Sequence, residues 1–475
     1  MTWVSLRAVL LASLLTAPGR ASEQARVEGG SDTLSLEAVL ESVERHYPVI
    51  EAARRDVEAA GAELLAAQGG FDPVLRGRVA STPLGGYPYT RVEGVVEQPT
   101  ALWGANLFAG WRLGSGQFPT YAEQYQTNAL GEVRAGVSVP LWRNGPIDRR
   151  RAAVARAELG TNAATQAVEQ ARLESARVAT WRYWEWVAAG RRYAVATELR
   201  RMAQARDAQL IERVQSGDLA AFEQVDNQRA LVQRDGQVVA AERLLQQSAM
   251  ELSLFLRDAE GQPVLPRPAW LPPGFPIPVA AEEAVGPLAL EDVLERRPDV
   301  QRLELSRQQQ RVEHQLARNQ RAPAVDVSVA AAKDLGAGSL KRDKPELEVG
   351  LLLDIPTFNR GATGRALQVE AGLARLEAQL RLQKDRARVE VRDALSALEA
   401  ARERVTVARR ELTLAREIER SERTRFELGE STLLFVNLRE QTSAEAAVRE
   451  VDALTDYHKA VASLRAAAAL PVAVR

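Results

Sequence analysis

The 475-residue sequence has no cysteine and only three histidines, His46, His314 and His458, which stand far apart without ligand spacing. These absences exclude disulfides, cysteine metal sites, thiol catalysis and a lipid anchor on an N-terminal cysteine. Aromatic residues make up 5% of the chain and the formal net charge is −1, which offers no electrostatic footprint for nucleic acid. Glycine-rich phosphate loops and nucleophile elbows are also missing, and the carboxylates are scattered along solvated faces. No enzymatic activity and no cofactor are expected. After the N-terminus no apolar run reaches 18 residues, so any membrane span must be built from strands rather than helices.

Proline is the most informative absence. The chain has 22 prolines, yet 147–262 and 357–470 contain none. Proline inside a helix costs about 3 kcal/mol, so both stretches read as long helical hairpins. Within the second, Val369, Leu373, Leu376 and Leu380 step by 4, 3 and 4, and Leu398, Val405 and Leu412 by sevens. That is coiled-coil spacing, with wet faces between the seams. Residues 364–427 alone would make a rod about 95 Å long, too long for a compact domain.

The whole chain is a tandem duplication. Arg7, the apolar run 8–15 and the small residues up to Ala21 have the layout of a secretory signal peptide, 1–21. Repeat 1, 34–262, then reads as short helices (35–70), strands (73–140) and a long hairpin (146–257). A proline-rich linker, 263–287, leads to repeat 2, 288–470, with short helices (288–321), strands (323–356) and a hairpin (362–470). Pro48 to Pro73 and Pro298 to Pro323 are both separated by 25 residues, which supports common descent of the halves. Each hairpin turns once, at Ser216-Gly217-Asp218 and at Gly429-Glu430, where glycine suits a left-handed helix end. The aromatics Trp181, Tyr183, Trp184 and Trp186 are expected to pack against the short helices.

Between short helices and rods the period changes to two. Val325, Val327 and Val329 alternate with polar residues, as do Leu347, Val349, Leu351 and Leu353, and in repeat 1 Val133, Ala135, Val137 and Val139. A soluble sheet would show the same alternation, but the export signal and the arginines on the polar face favour a membrane barrel. Both strand regions leave through similar text, Pro140-Leu141-Trp142 and Pro356-Thr357-Phe358, whose aromatics suit either an interfacial anchor or a packed joint. Repeat 1 holds additional alternating runs within 87–130, an extracellular loop or an inserted hairpin. The alternating runs outside that segment make four strands per chain.

Leu34-Ser-Leu-Glu-Ala-Val-Leu, Tyr47-Pro48, Arg296-Arg297-Pro298-Asp299-Val300, Tyr183-Trp184, Arg425-Phe426-Glu427-Leu428-Gly429 and the two exit motifs together resemble the TolC family of outer membrane efflux proteins. The resemblance implies a mostly α fold with β: tandem long α-helical hairpins in an α-barrel coiled coil, plus transmembrane strands forming a trimeric 12-stranded β-barrel. It implies a homotrimer embedded in outer membrane lipid and extending into the periplasm. It also implies an exit duct for efflux or type I secretion, whose hairpin tips dock a periplasmic adaptor and an inner-membrane pump. The family closes its tube at those tips. Glu223 falls on an acidic contact position, Phe426 replaces a tyrosine, Ser431 an arginine, and Phe435 and Leu438 two inward aspartates. An apolar ring there would gate by dewetting rather than by attracting cations. A different class is a soluble periplasmic coiled-coil adaptor without a pore, but its hairpin would normally occur once.

Overall fold

A computed structural model describes residues 33–471 except 219, 288, 340, 341 and 343, so the expected signal peptide lies outside the described residues. Helices α1 (Leu36–His46) and α2 (Pro48–Gln68) lead into strands β1 (Val74–Thr82), β2 (Tyr89–Pro99), β3 (Asn106–Gly116) and β4 (Glu132–Pro140). The rod α3 (Arg149–Gln215) follows and turns back as α4 (Ala221–Ser253). After a short helix α5 (Ala281–Val285) the order repeats as α6 (Leu290–Arg296), α7 (Pro298–Asn319), β5 (Ala324–Asp334), β6 (Glu346–Asp354), α8 (Arg360–Glu427) and α9 (Leu433–Ala467). The rods α3 and α8 have 67 and 68 residues, about 100 Å each.

Local chemistry sets the boundaries. Ser35 and Asp148 cap α1 and α3, the latter accepting from the N–H groups of Arg150 (2.7 Å) and Arg151 (3.0 Å). Pro48 and Pro298 occupy first helical turns, where their missing N–H is harmless. The heptad residues behave as a seam: Leu398, Val405 and Leu412 are buried while Arg402, Arg404 and Arg410 are exposed. Side by side, the rods pack in the order α4, α3, α9, α8, and α7 fits between α3 and α8. No described helix is long and apolar enough to cross a membrane.

The aromatic cluster of α3 nucleates the middle of the molecule. Tyr183, Trp184 and Trp186 are buried against Val39 and Val43 of α1, Leu252 and Phe255 beside α4, and Phe275. Tyr183 donates to the Leu34 carbonyl at 2.9 Å. Trp184 stacks on His458 of α9 at 4.3 Å, and burial pushes that imidazole down to about 4, so it stays neutral. The proline-rich segment is therefore more than a tether between repeats. Val264, Trp270, Leu271 and Phe275 pack on this cluster, and Val279 bonds the Tyr457 hydroxyl in both directions. Prolines hold the backbone extended while the apolar residues between them fill grooves across both hairpins.

All six strands form one antiparallel sheet in chain order, β1 to β6. The expected four strands are thus exceeded. The open segment 87–130 is not only a loop, because β2 and β3 pair over their full lengths between β1 and β4. Directly opposed residues share a face, and the register Leu75↔Val96, Val96↔Ala109, Ala109↔Ala135, Ala135↔Ala331, Ala331↔Leu347 runs through all six strands. That face carries one charge, Lys333, near the end of β5 away from the rods. The opposite face carries Arg76, Arg78, Arg91, Arg112, Arg134 and eight carboxylates. Alternation in 87–130 fits this sheet as well as it fits a loop, which is why sequence periodicity left both open.

Arg297 explains the Arg-Pro-Asp phrase at the head of α7. Its guanidinium grips Asp299 in two bonds (3.0 and 2.6 Å), Glu390 of α8 (2.7 Å) and the Ala467 carbonyl of α9 (3.1 Å). Burial alone would raise the Asp299 carboxyl, but Arg297, Gln383 and the Val300 N–H hold it below the ordinary carboxylate range. A carboxyl depressed in the folded state adds stability above the unfolded value near 3.9, and that increment disappears as pH falls through the folded value. Asp299→Asn is expected to lower stability by about 1–3 kcal/mol at pH 7 and to flatten the acid limb of the thermal unfolding curve between pH 5 and 3. Parallel acid limbs for the two proteins would contradict this role.

Candidate functional site at the hairpin tips

Both tips are built by the same device. Gly217 (φ 82°) and Gly429 (φ 79°) adopt the left-handed conformation two residues past the last helical residue. Gly217 and Asp218 donate N–H bonds back to Val214 and Arg213 (3.2 and 2.9 Å), and Gly429 and Glu430 to Phe426 and Arg425 (3.1 and 2.8 Å). Ser216 and its neighbours to Asp218 are exposed, as are Gly429 and Glu430, and the Ser216 hydroxyl donates to Asp218 at 3.2 Å. The tips thus present short polar surfaces on stiff rods.

Glu223 is half-buried in the first turn of α4, at the opposite edge of the rod layer from Phe426 on α8. Those two residues are not brought together within one chain. Phe426 instead lies under the Arg213 guanidinium at 5.9 Å, joining the ends of α8 and α3. Ser431 hydrogen-bonds Glu422 across the second tip. On α9, Leu433 and Val436 are buried in the hairpin, whereas Phe435 and Leu438 remain 47% and 50% exposed.

Just above the tips lies a charged cluster that no local pattern announces. Glu440 of α9 is 1% exposed and receives Arg206 of α3, Arg234 of α4 (3.0 Å) and Arg423 of α8 (3.2 Å). Asn437 accepts from Arg206 at 2.8 Å, and Arg234 also donates to the Leu199 carbonyl at 2.9 Å. Burial pushes the Arg206 guanidinium below its ordinary value, with Glu440 acting against that shift. One carboxylate therefore clamps four rods. The signal exists only in three dimensions, since these residues come from four separate helices.

At the other end of the rods the strand exits are tied to α7. Pro140 ends β4, and Asn319 donates to the Trp142 carbonyl (3.0 Å) and accepts from the Asn144 N–H (2.7 Å). Pro356 is half-buried, while Trp142 and Phe358 are 58% and 79% exposed. The β2–β3 turn docks here too. A Cβ on Gly104 would lie 2.5 Å from the Asn144 carbonyl oxygen, so only glycine fits.

The lateral edges of the chain are open. Outer rod α4 exposes Phe222, Val225, Val232 and Val239 at steps of 3, 7 and 7, and outer rod α8 exposes Val407, Leu414 and Ile418 at 7 and 4. Among the described residues these form second, exposed seams. The chain exposes 29653 Å², against about 17,000 Å² for a compact protein of this length.

Residues 289–470 match the family model described as outer membrane efflux protein. The match covers about two fifths of the chain and makes this region similar to that family. The matched region is the second repeat, and the first repeats its order of elements. Among solved structures, the outer membrane channel CmeC of Campylobacter jejuni is similar with TM-score 0.64 and 15% identity, covering 96% of this chain and 94% of that one. The open state of the Neisseria gonorrhoeae MtrE outer membrane channel aligns with TM-score 0.65 and 14% identity over 92% and 89%. VceC of Vibrio cholerae, an outer membrane protein, aligns with TM-score 0.63 and 15% identity over 92% and 96%. No curated protein matches in sequence. For this chain the structural likenesses establish a shared fold along nearly its whole length.

Removing the central carboxylate of the Glu440 cluster leaves buried guanidiniums uncompensated, which costs about 3–5 kcal/mol. Glu440→Gln is expected to accelerate amide hydrogen exchange in the tip-proximal turns of α3, α4 and α9 while the aromatic cluster stays protected. Unchanged exchange at the tips would remove the clamp from the account.

Proposed function

We propose that this chain is a member of the outer membrane efflux protein family and the outer-membrane exit duct of a tripartite efflux or type I secretion assembly. Three copies would join side by side into a tube, the sheets crossing the outer membrane and the rods crossing the periplasm. The observation that carries this reading is the pairing of two open edges with one continuous apolar sheet face. A sheet with unpaired backbone cannot rest in lipid, so copies must share one closed wall. A periplasmic adaptor would have no use for a six-stranded sheet whose outer face is uncharged except at one end.

Substrate passes through the common bore, and the inner-membrane pump selects it. Ser216, Gly217, Asp218, Gly429 and Glu430 form the surface offered to that pump and its periplasmic adaptor. Glu223 of one copy meets the Phe426 region of the next, since they occupy opposite edges of the rod layer. Phe435 and Leu438, exposed on α9 close to the tip, narrow the bore as an apolar constriction that excludes water when closed.

The duct should fractionate with the outer membrane and conduct ions when reconstituted into planar bilayers. Recovery in the soluble or inner-membrane fraction would favour the adaptor class. Phe435→Ala and Leu438→Ala are each expected to raise single-channel conductance several-fold, and no rise in either would remove the apolar constriction.

A further inference from the structure

The inserted hairpin changes the size of the wall. Across the sheet from Val74, the facing residues are Glu97, Phe108, Gly136, Ala330 and Glu348. Relative to that line the rod-side strand ends descend steadily. They lie two residues lower in β2 and β3 (Pro99, Asn106), four in β4 (Pro140) and six in β5 and β6 (Ala324, Asp354). At about 3.3 Å per residue and 4.8 Å between strands, the strands tilt by about 40°, the tilt of closed transmembrane barrels. The hairpin β2–β3 shares this stagger and the apolar face, so it is wall rather than loop.

The two free edges carry opposite charge. On the polar face, β1 presents Arg76 and Arg78 and no acid, whereas β6 presents Glu346, Glu348 and Asp354 and no base. Within the chain Arg76 has Glu97 at 3.3 Å, Glu348 has only Arg134 at 4.0 Å, and Asp354 has Arg143 at 2.6 Å. β1 runs away from the rods and β6 runs back toward them. The β6 edge of one copy and the β1 edge of another are therefore antiparallel and complementary when joined head to tail.

We infer that three copies close an 18-stranded barrel in which β6 of each copy pairs with β1 of the next. This rests on the trimeric duct proposed above. The stagger changes by zero or two residues at every strand pair within the chain, and the same two steps are available at the seam. With no step, Arg76 sits opposite Leu352 and diagonal to Asp354; with a step of two it sits opposite Asp354. In both, an arginine edge meets an acidic edge inside the bore while Leu75, Val79, Val349 and Leu351 continue the apolar exterior. Because barrel diameter grows with strand number, the opening is about one and a half times as wide as that of a 12-stranded wall.

The absence of cysteine makes the seam directly testable. Full-length protein is prepared with Gly77→Cys combined with Leu351→Cys, or with Leu353→Cys, for the zero and two-residue steps. Light scattering in detergent reads assembly, and oxidation followed by denaturing gels reads covalent trimers. In parallel, Val95→Cys and Val96→Cys are exposed in vesicles to a membrane-impermeant maleimide. One of the two pairs should give covalent trimers, and Val95→Cys should label at least ten times faster than Val96→Cys. Intact trimers in which neither pair links, or equal labelling of the two single variants, would overturn the 18-stranded wall and leave the duct standing. Monomers of the unmodified protein by light scattering would overturn the duct reading itself.

Discussion

A sheet placed in lipid must leave no backbone hydrogen-bonding group unpaired, and one copy of this chain has two bare edges. The proposed duct follows from that constraint. The same lateral incompleteness recurs in the helical layer, where the outer rods α4 and α8 carry exposed apolar residues at seam spacing. Sheet and rods are both open at two lateral edges, as the proposed tube requires. Duplication suits this geometry because each half supplies strands above and a hairpin below.

The rods are held by modest means. Their seams are narrow and rich in alanine, with Ala387, Ala394, Ala401 and Ala408 among the buried positions of α8. Small residues let helices approach closely, and side-chain ordering there costs little entropy. Larger apolar mass is concentrated at mid-height, where the α3 aromatics, α1 and the proline-rich strap form the main core. The rods are fixed at their middle and at the α7 joints, while the tip residues Gly217, Asp218, Gly429 and Glu430 stay exposed.

At the tips the balance shifts from burial to charge. Glu440 draws three guanidiniums from three helices, a directional arrangement that holds the rods in one relative position. Such clusters contribute less net stability than specificity, because the charges must be desolvated before they can attract. Phe435 and Leu438 lie within two turns of the clamp, so a change in rod positions moves the apolar side chains with it.

Local patterns in the chain determined the rods, their turns and the duplication. Proline-free heptads, glycines at 217 and 429 and prolines at 48 and 298 act through backbone torsions and helical period, which a residue and its near neighbours decide. The apolar alternation of β1, β4, β5 and β6 was legible for the same reason. Tertiary structure alone decided that β2 and β3 enter the sheet, that the 263–287 segment straps the hairpins, and that Glu440 meets Arg206, Arg234 and Arg423. Period tells a strand or helix which face to bury, but the partner of that face is chosen by how distant segments pack, and no local pattern encodes that choice.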